Sequence, residues 1–447
     1  MVKRRPDAAT STGCHRWSGY RMIRNMKPAR SAFRVRFGLL CCSFVLWTSS
    51  AGGAETSGAD GAGQTDSKAN DQLGFDSLRS VEGELNATAN RQHEGLMSGF
   101  KARKDRLEAR TGLKYGIDNI MHYLASDAAR SPSDAASNVT RFYGTWTASE
   151  RRAPRNGALA FKLEYRTAVG GHISTQALGP SLGYAGLLAS TNSDAGLILT
   201  NLYWGNQFAA GRGSLVVGQV DTYDYVNVNN IASPWTGFTN LAFEQQPTFA
   251  GPSQGLGAAV QWRLNDNWTV LGGFADANAD PSDPLDSAET LFDTGETFKH
   301  LAVGWSPDWS DRYDQLVQVT FWQIDERDDA GVEAGHGVAF AASARLGQWR
   351  PFLRAGYAED GGVLLDRAVS MGFGYDARGG QDLAGLAVSW GRAPDNSRDQ
   401  YTLEAFYRFD VTDFLQFTPS IQYVGGPAND PETDDIFVVG FRLRAHL

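Results

Sequence analysis

Cysteine is confined to the start of this 447-residue chain, where Cys14, Cys41 and Cys42 are the whole complement. All three fall inside a removable leader, so disulfides, thiolate metal sites and cysteine nucleophiles are excluded from the rest. Histidine is also scarce. Beyond the leader only His93, His122, His172, His300, His336 and His446 occur, with no H-x-x-H or H-E-x-x-H spacing. No phosphate-binding loop is present, and no catalytic Ser/His set stands out. Asp308, Asp311 and Asp314 are grouped, but a tight turn after Pro307 explains them without calcium. The chain therefore reads as non-enzymatic, with no metal and no cofactor. It also lacks any run of 18 apolar residues, which excludes helical membrane spans on the usual length criterion. A β-barrel evades that criterion, because only alternate residues of each strand meet lipid.

The leader covers residues 1–54. Basic residues dominate from Lys3 to Arg36, an apolar core occupies residues 37–47, and small residues follow with Gly52 and Ala54 at the −3 and −1 positions of a cleavage site. This is the pattern of a secretory signal peptide, with Met22 and Met26 as alternative starts. Ten of the 41 basic residues but one of the 50 acidic ones precede Glu55, leaving 31 against 49 and a net of −18. So acidic a chain is a poor nucleic-acid binder. Were the excess to line a pore, it would favour cations or neutral solutes.

Residues 55–92 read as a flexible periplasmic tail, rich in Gly, Ser, Ala and Asp as far as about Gln72. Residues 93–112, with Leu96, Phe100 and Leu107, read as a short amphipathic helix packed at the periplasmic mouth, with a partner-binding segment as the alternative. The remainder, 113–447, alternates with period two. On 401–409, Tyr401, Leu403, Ala405, Tyr407 and Phe409 share one face; Thr402, Glu404, Phe406 and Arg408 share the other. Alternation over nine or ten residues suits a tilted membrane-spanning strand. About sixteen such strands can be marked. Their connectors sort by parity: those after even strands are short, as at 210–212, 265–267 and 347–349, and those after odd strands are long, as at 168–194, 222–254 and 277–297. The fold class is therefore all-β, a closed antiparallel transmembrane barrel of about sixteen strands with a short N-terminal helix. Leu159, Phe161, Leu163 and Tyr165 face lipid while Lys162, Glu164 and Arg166 face in. Val260 and Trp262 oppose Gln261 and Arg263; Val317, Val319 and Phe321 oppose Gln318, Thr320 and Trp322; Phe437, Val439, Phe441 and Leu443 oppose Arg442. Tyr203, Trp268, Trp305, Trp309, Tyr357, Trp390 and Tyr423 fall near strand ends, where an aromatic girdle belongs.

The connector 222–254 is the longest and carries Trp235, Phe238, Phe243, Glu244 and Phe249 between Pro234, Pro247 and Pro252. A water-exposed loop has little need of so many aromatics, so it is expected to fold into the barrel and narrow it. Aromatic faces stack on the C–H faces of sugar rings, although the same side chains could merely pack the loop to the wall. Glu164, Arg263, Trp322, Arg350, Arg354 and Glu404 are the wall residues expected to complete the constriction.

The stretch 399–444, with Tyr407-Arg408-Phe409, Leu415, Thr418-Pro419 and Gln422-Tyr423, resembles the end of carbohydrate-selective porins of the OprB type. Gly218-Gln219, Phe238, Asn240 and Gly255-Leu256-Gly257 resemble that family's middle section. The chain departs from many outer-membrane barrels in ending with Leu447 rather than Phe. The resemblance implies an outer-membrane porin for passive diffusion of monosaccharides, with small sugars as permeants, membrane lipid around it, and monomer or homotrimer left open. A cation-preferring diffusion porin and a receptor or adhesin barrel are the alternatives.

Overall fold

A computed structural model describes residues 75, 77, 79–89, 98–129, 131–147, 157–394 and 398–447; the expected leader, 1–54, lies outside them. Sixteen strands close into one barrel in which each pairs antiparallel with its sequence neighbours and the last pairs with the first. They are β1 (Leu113–Ser126), β2 (Asp134–Trp146), β3 (Ala158–Ala168), β4 (Gly196–Phe208), β5 (Gly213–Val220) and β6 (Gly255–Arg263). Next come β7 (Trp268–Asp276), β8 (Thr297–Trp305), β9 (Leu316–Ile324), β10 (Gly335–Ser343) and β11 (Trp349–Glu359). The circuit ends with β12 (Arg367–Ala377), β13 (Asp382–Arg392), β14 (Asp399–Thr412), β15 (Leu415–Gly425) and β16 (Asp435–His446). Closure pairs every strand edge, which an apolar surround demands because backbone N–H and C=O groups find no water there. The seam is reinforced at its end, where Leu447 and Ile117 exchange both backbone hydrogen bonds at 2.8 and 3.1 Å.

Side chains alternate across the wall as the pattern predicts. Leu163, Tyr165, Val260, Val317, Phe321, Tyr401, Phe437, Val439, Phe441 and Leu443 are exposed on the outside, whereas Lys162, Glu164, Gln318, Thr320, Thr402, Glu404 and Arg442 are buried inside. Trp268, Trp305, Tyr357 and Tyr423 also point out, as a girdle requires. Tyr203 does not. Strand β4 is irregular where Lys162 and Leu163 pair with Asn201 and Leu199, so one extra residue is left on β4. That shift flips the parity beyond it and turns Tyr203 into the lumen while Leu202 and Trp204 face out.

Helix α2 (Ser98–Thr111) lies within the helix expected over 93–112, yet none of its side chains is buried. Its charges (Lys101, Arg103, Lys104, Asp105, Arg106, Glu108, Arg110) are spread around the axis and leave no apolar face to pack. The chain before it differs more from expectation. Within the stretch read as a flexible tail, Val81–Ala89 form helix α1, and Phe75, Val81 and Leu85 are buried in one cluster with the lumen-facing Tyr143 and Tyr203. Ser80 opens this helix by accepting the Gly83 N–H at 3.0 Å, and Glu82 and Glu84 in its first turn complement the helix dipole.

Candidate functional site

The connector between β5 and β6, residues 221–254, lies inside the barrel. It holds a short helix α4 (Leu241–Glu244), capped by the Asn240 side chain, which accepts the Ala242 N–H at 3.0 Å. A segment without a strand partner must still satisfy its backbone groups, and the wall supplies the partners. Arg354 on β11 donates to the carbonyls of Gln245 at 2.6 Å and Phe243 at 3.3 Å, and to that of Asn227. Glu404 on β14 accepts the N–H groups of Thr239 and Asn240, each at 2.9 Å, and the Thr239 hydroxyl at 3.0 Å. Arg442 on β16 donates to Pro234 O at 2.6 Å and Gly237 O at 3.1 Å, and Arg408 to Thr236 O at 3.1 Å. Gly356 and Gly374 face this connector from β11 and β12. A Cβ on either would strike Thr248 and Gln246, or Ile231, so only glycine lets the loop lie this close.

A second connector, between β3 and β4, covers the first. It carries α3 (Thr175–Ser181) and is tied down by Ser190 N to Thr239 O at 3.1 Å, Leu241 N to Leu187 O at 2.9 Å and Tyr184 Oη to Asn240 Oδ1 at 2.7 Å. Between these connectors and the β3–β4 wall remains a cavity of about 610 Å³, within the range of small-molecule sites. Tyr223 and Trp235 offer aromatic surface to it; Glu164, Asp221, Asp224 and Asp280 line it with carboxylates, and Arg79, Lys162 and Arg166 with cations. The opposed charges are mutually satisfied: Arg166 Nε binds Glu164 at 2.8 Å, and Lys162 Nζ lies 3.1 Å from Arg79 O, 3.5 Å from Glu84 and 3.9 Å from Asp224. Burial pushes the Asp224 carboxyl up to about 7, with Asp221 adding to the shift and Lys162 opposing it.

The OprB carbohydrate-selective porin profile matches residues 153–350 and 326–447, about two thirds of the chain. The chain belongs to that family. It is a carbohydrate porin of the bacterial outer membrane. In fold it is similar to OprB of Pseudomonas putida in its high-pH structure, at 12% identity and a TM-score of 0.63, over 80% of this chain and 99% of that one. The low-pH structure of the same protein aligns at 13% identity and 0.48, over 80% and 99%. An OmpT loop-deletion mutant, an outer membrane protein of Vibrio cholerae, aligns at 12% and 0.47, over 75% and 99%. No curated sequence matches.

In this porin the residues singled out beforehand separate into three groups. Trp235 and Glu164 line the vestibule, Trp235 with its ring 3.8 Å from the Arg141 guanidinium. Phe238, Phe243, Trp322, Arg354 and Glu404 are buried behind the loop. Phe238 packs with Phe243, Phe352 and Phe406 at 5.0–5.8 Å between ring centroids, and Trp322 lies against Phe249 and Phe298. Glu244 is buried as well and forms an ion pair with Arg79. Arg263 and Arg350 correct the expectation of a single constriction. Arg263 ends β6 at the short-turn side, stacked on Trp309 at 5.2 Å, and Arg350 at the start of β11 pairs with Asp376 at 2.9 Å. Both face inward by parity but neither lines the vestibule, because facing fixes the side of the wall and not the depth. The loop itself reaches the short-turn end, where Asn230 donates to the carbonyls of Asp314 and Ala344 at 3.0 and 2.9 Å. Arg141, Asp118 and Arg79 were missed. Arg141 follows the β2 alternation with Val139 and Tyr143 and could have been marked from it. Residues 251–255 do carry a Gly-x-Ser-x-Gly spacing. It runs from loop into strand β6, not from strand to helix as a nucleophile elbow requires.

Proposed function

We propose that this porin conducts small neutral sugars of monosaccharide size by passive diffusion, without catalysis, and selects them at the vestibule between its two inward connectors. The observation that carries the reading is the cavity of about 610 Å³ with Trp235 and Tyr223 beside alternating carboxylates and guanidiniums. Neutral polyols gain hydrogen bonds from such paired charges without having to neutralise either sign. Contacts of this kind bind weakly enough to release the permeant on the far side. Trp235 and Glu164 are the permeant-facing residues of this reading. Phe238, Phe243, Glu244, Trp322, Arg354 and Glu404 act indirectly, by holding the loop that shapes the passage.

Liposome swelling tests the proposal. Vesicles bearing the porin should swell faster in isosmotic monosaccharide than in amino acids of matched size. Equal rates would remove sugar selectivity and leave a general diffusion pore. Four vestibule carboxylates against three cations favour a mild preference for cations as a second reading, read out as the reversal potential in a KCl gradient.

A further inference from the structure

We propose that the N-terminal segment described at residues 75, 77 and 79–89, with helix α1, is an autoinhibitory plug that occupies the lumen and must be displaced for full conduction. The proposal rests on the chain being a channel. The segment approaches from the short-turn side and reaches the inward connector. Along the way it is anchored to both. Glu84 accepts from Arg141 on β2 at 2.9 and 3.0 Å, Lys162 on β3 donates to the Arg79 carbonyl at 3.1 Å, and Lys114 on β1 donates to Asn86 at 2.9 Å. On the other side Arg79 pairs with Glu244, Ser77 hydrogen-bonds the Asp224 carbonyl, and Phe75 meets Tyr225 edge-on at 5.6 Å. Arg79 thereby forms part of the vestibule's floor.

Two features distinguish a plug from a permanent part of the wall. The first is the kind of attachment: α1 joins no strand ladder and is held by ion pairs, by side-chain-to-backbone hydrogen bonds and by the burial of Phe75, Val81 and Leu85 in the luminal cluster. Such polar contacts have a ready alternative in water, whereas a β-ladder has none in lipid. The second is what each charge keeps after release. Arg141 also holds Asp118, which Arg444 binds at 2.6 and 3.0 Å, and Lys162 stays within 3.9 Å of Asp224. The wall's cations therefore retain carboxylate partners when Glu84 leaves, so the barrel tolerates the open state. Since a helix with its side chains is about 10 Å across, its departure would free much of the cross-section that the connectors leave.

The test uses the full chain carrying Arg79→Ala with Glu84→Ala, and a second variant lacking residues 75–89. Single-channel conductance is measured in KCl, a readout independent of sugar selectivity. Folding of each barrel is checked by its heat-modifiable migration in gels. Both variants are expected to show a several-fold larger unitary conductance than wild type, the deletion at least as large as the double substitution. A Ser80→Cys probe in the otherwise cysteine-free barrel should react slowly with a membrane-impermeant thiol reagent, and faster once Glu84→Ala is added. Folded variants that conduct KCl no better than wild type would overturn the plug, whatever sugars the channel passes. A plug that holds while swelling proves equal for sugars and amino acids would overturn only the sugar reading.

Discussion

Replacing Arg354 by Met should undock part of the inward loop while leaving the barrel intact. The guanidinium reaches three backbone carbonyls of the connector, those of Asn227, Phe243 and Gln245, from a fully buried position on β11. A hydrogen bond from a charged donor contributes about 1.5–3 kcal/mol net. The three are not additive, and leaving buried carbonyls without a donor costs about 1–3 kcal/mol. At about 1.4 kcal/mol per factor of ten, the docked state of this segment should lose between about fivefold and about a hundredfold in population. Met replaces the aliphatic stem but is shorter and uncharged, so the change removes the hydrogen bonds and the charge together while keeping the stem's packing. Hydrogen–deuterium exchange reads the result. The amides of Phe243, Gln245 and Phe249, each bonded within the loop at 2.9–3.0 Å, should exchange faster by that factor. Those of the β11–β12 ladder should not change. Arg354→Lys, which keeps one charge and a single reach, should fall between. Unchanged protection in a folded Arg354→Met barrel would refute the view that wall charges hold this loop.

Trp235→Ala should reduce discrimination among sugars of different size in swelling assays, because it removes aromatic surface from the vestibule without touching the Phe238–Phe243 anchor. Asp224 has an ordinary value of 3.8 and is raised to about 7 by burial. The folded chain therefore keeps a proton between about pH 4 and 7 that the unfolded chain has lost, so this group's contribution turns against the fold as pH rises through that window and is constant above it. The cation-to-anion permeability ratio should rise as pH crosses about 7, and Asp224→Asn should abolish the step. Arg263→Ala and Arg350→Ala lie at the short-turn side and should leave reversal potentials unchanged; a clear shift would place them in the selective region. Phe321→Arg, on the lipid face of β9, should cost about 2–4 kcal/mol near the midplane and lower the folded yield in lipid, while a change at the inward Gln318 should not.

The wall was legible because its physics is local. Two-residue periodicity and connector length are properties of consecutive residues, and from them all sixteen strands could be marked within a few residues of their bounds. Tyr203 shows the limit of that reasoning, since one unpaired residue in β4 reverses every facing beyond it and leaves no mark in composition. Depth was illegible for the same reason. Arg263 and Arg354 have the same parity, yet one sits at a turn and the other under the loop. The composition of residues 55–72, rich in Gly, Ser, Ala and Asp, argues for a tail, and it masked the different stretch that follows, where helix α1 forms. Ser80, the acidic Glu82 and Glu84, and Val81 with Leu85 four residues on were a helix-start signal that the average concealed.

The lumen-facing charges of this porin divide by what they must satisfy. A connector that enters a barrel without joining its sheet brings unpaired carbonyls and N–H groups into a space with little water, and each needs a partner. Arg354, Arg408, Arg442 and Glu404 meet that need, and in doing so they point at backbone rather than at permeant. The loop's aromatics divide in the same way. Phe238 and Phe243 are completely buried against Phe352 and Phe406 and fasten the loop to the wall, whereas Tyr223 and Trp235 line the cavity, Trp235 while also buried against Ile120 and Val139. An aromatic-rich, charge-rich constriction is thus mostly a fastening, and the surface left for selection is small. The cavity lining apart from that fastening is Trp235 and Tyr223 with the carboxylates and cations of the vestibule, one of which, Arg79, arrives on the N-terminal segment and not on the barrel at all.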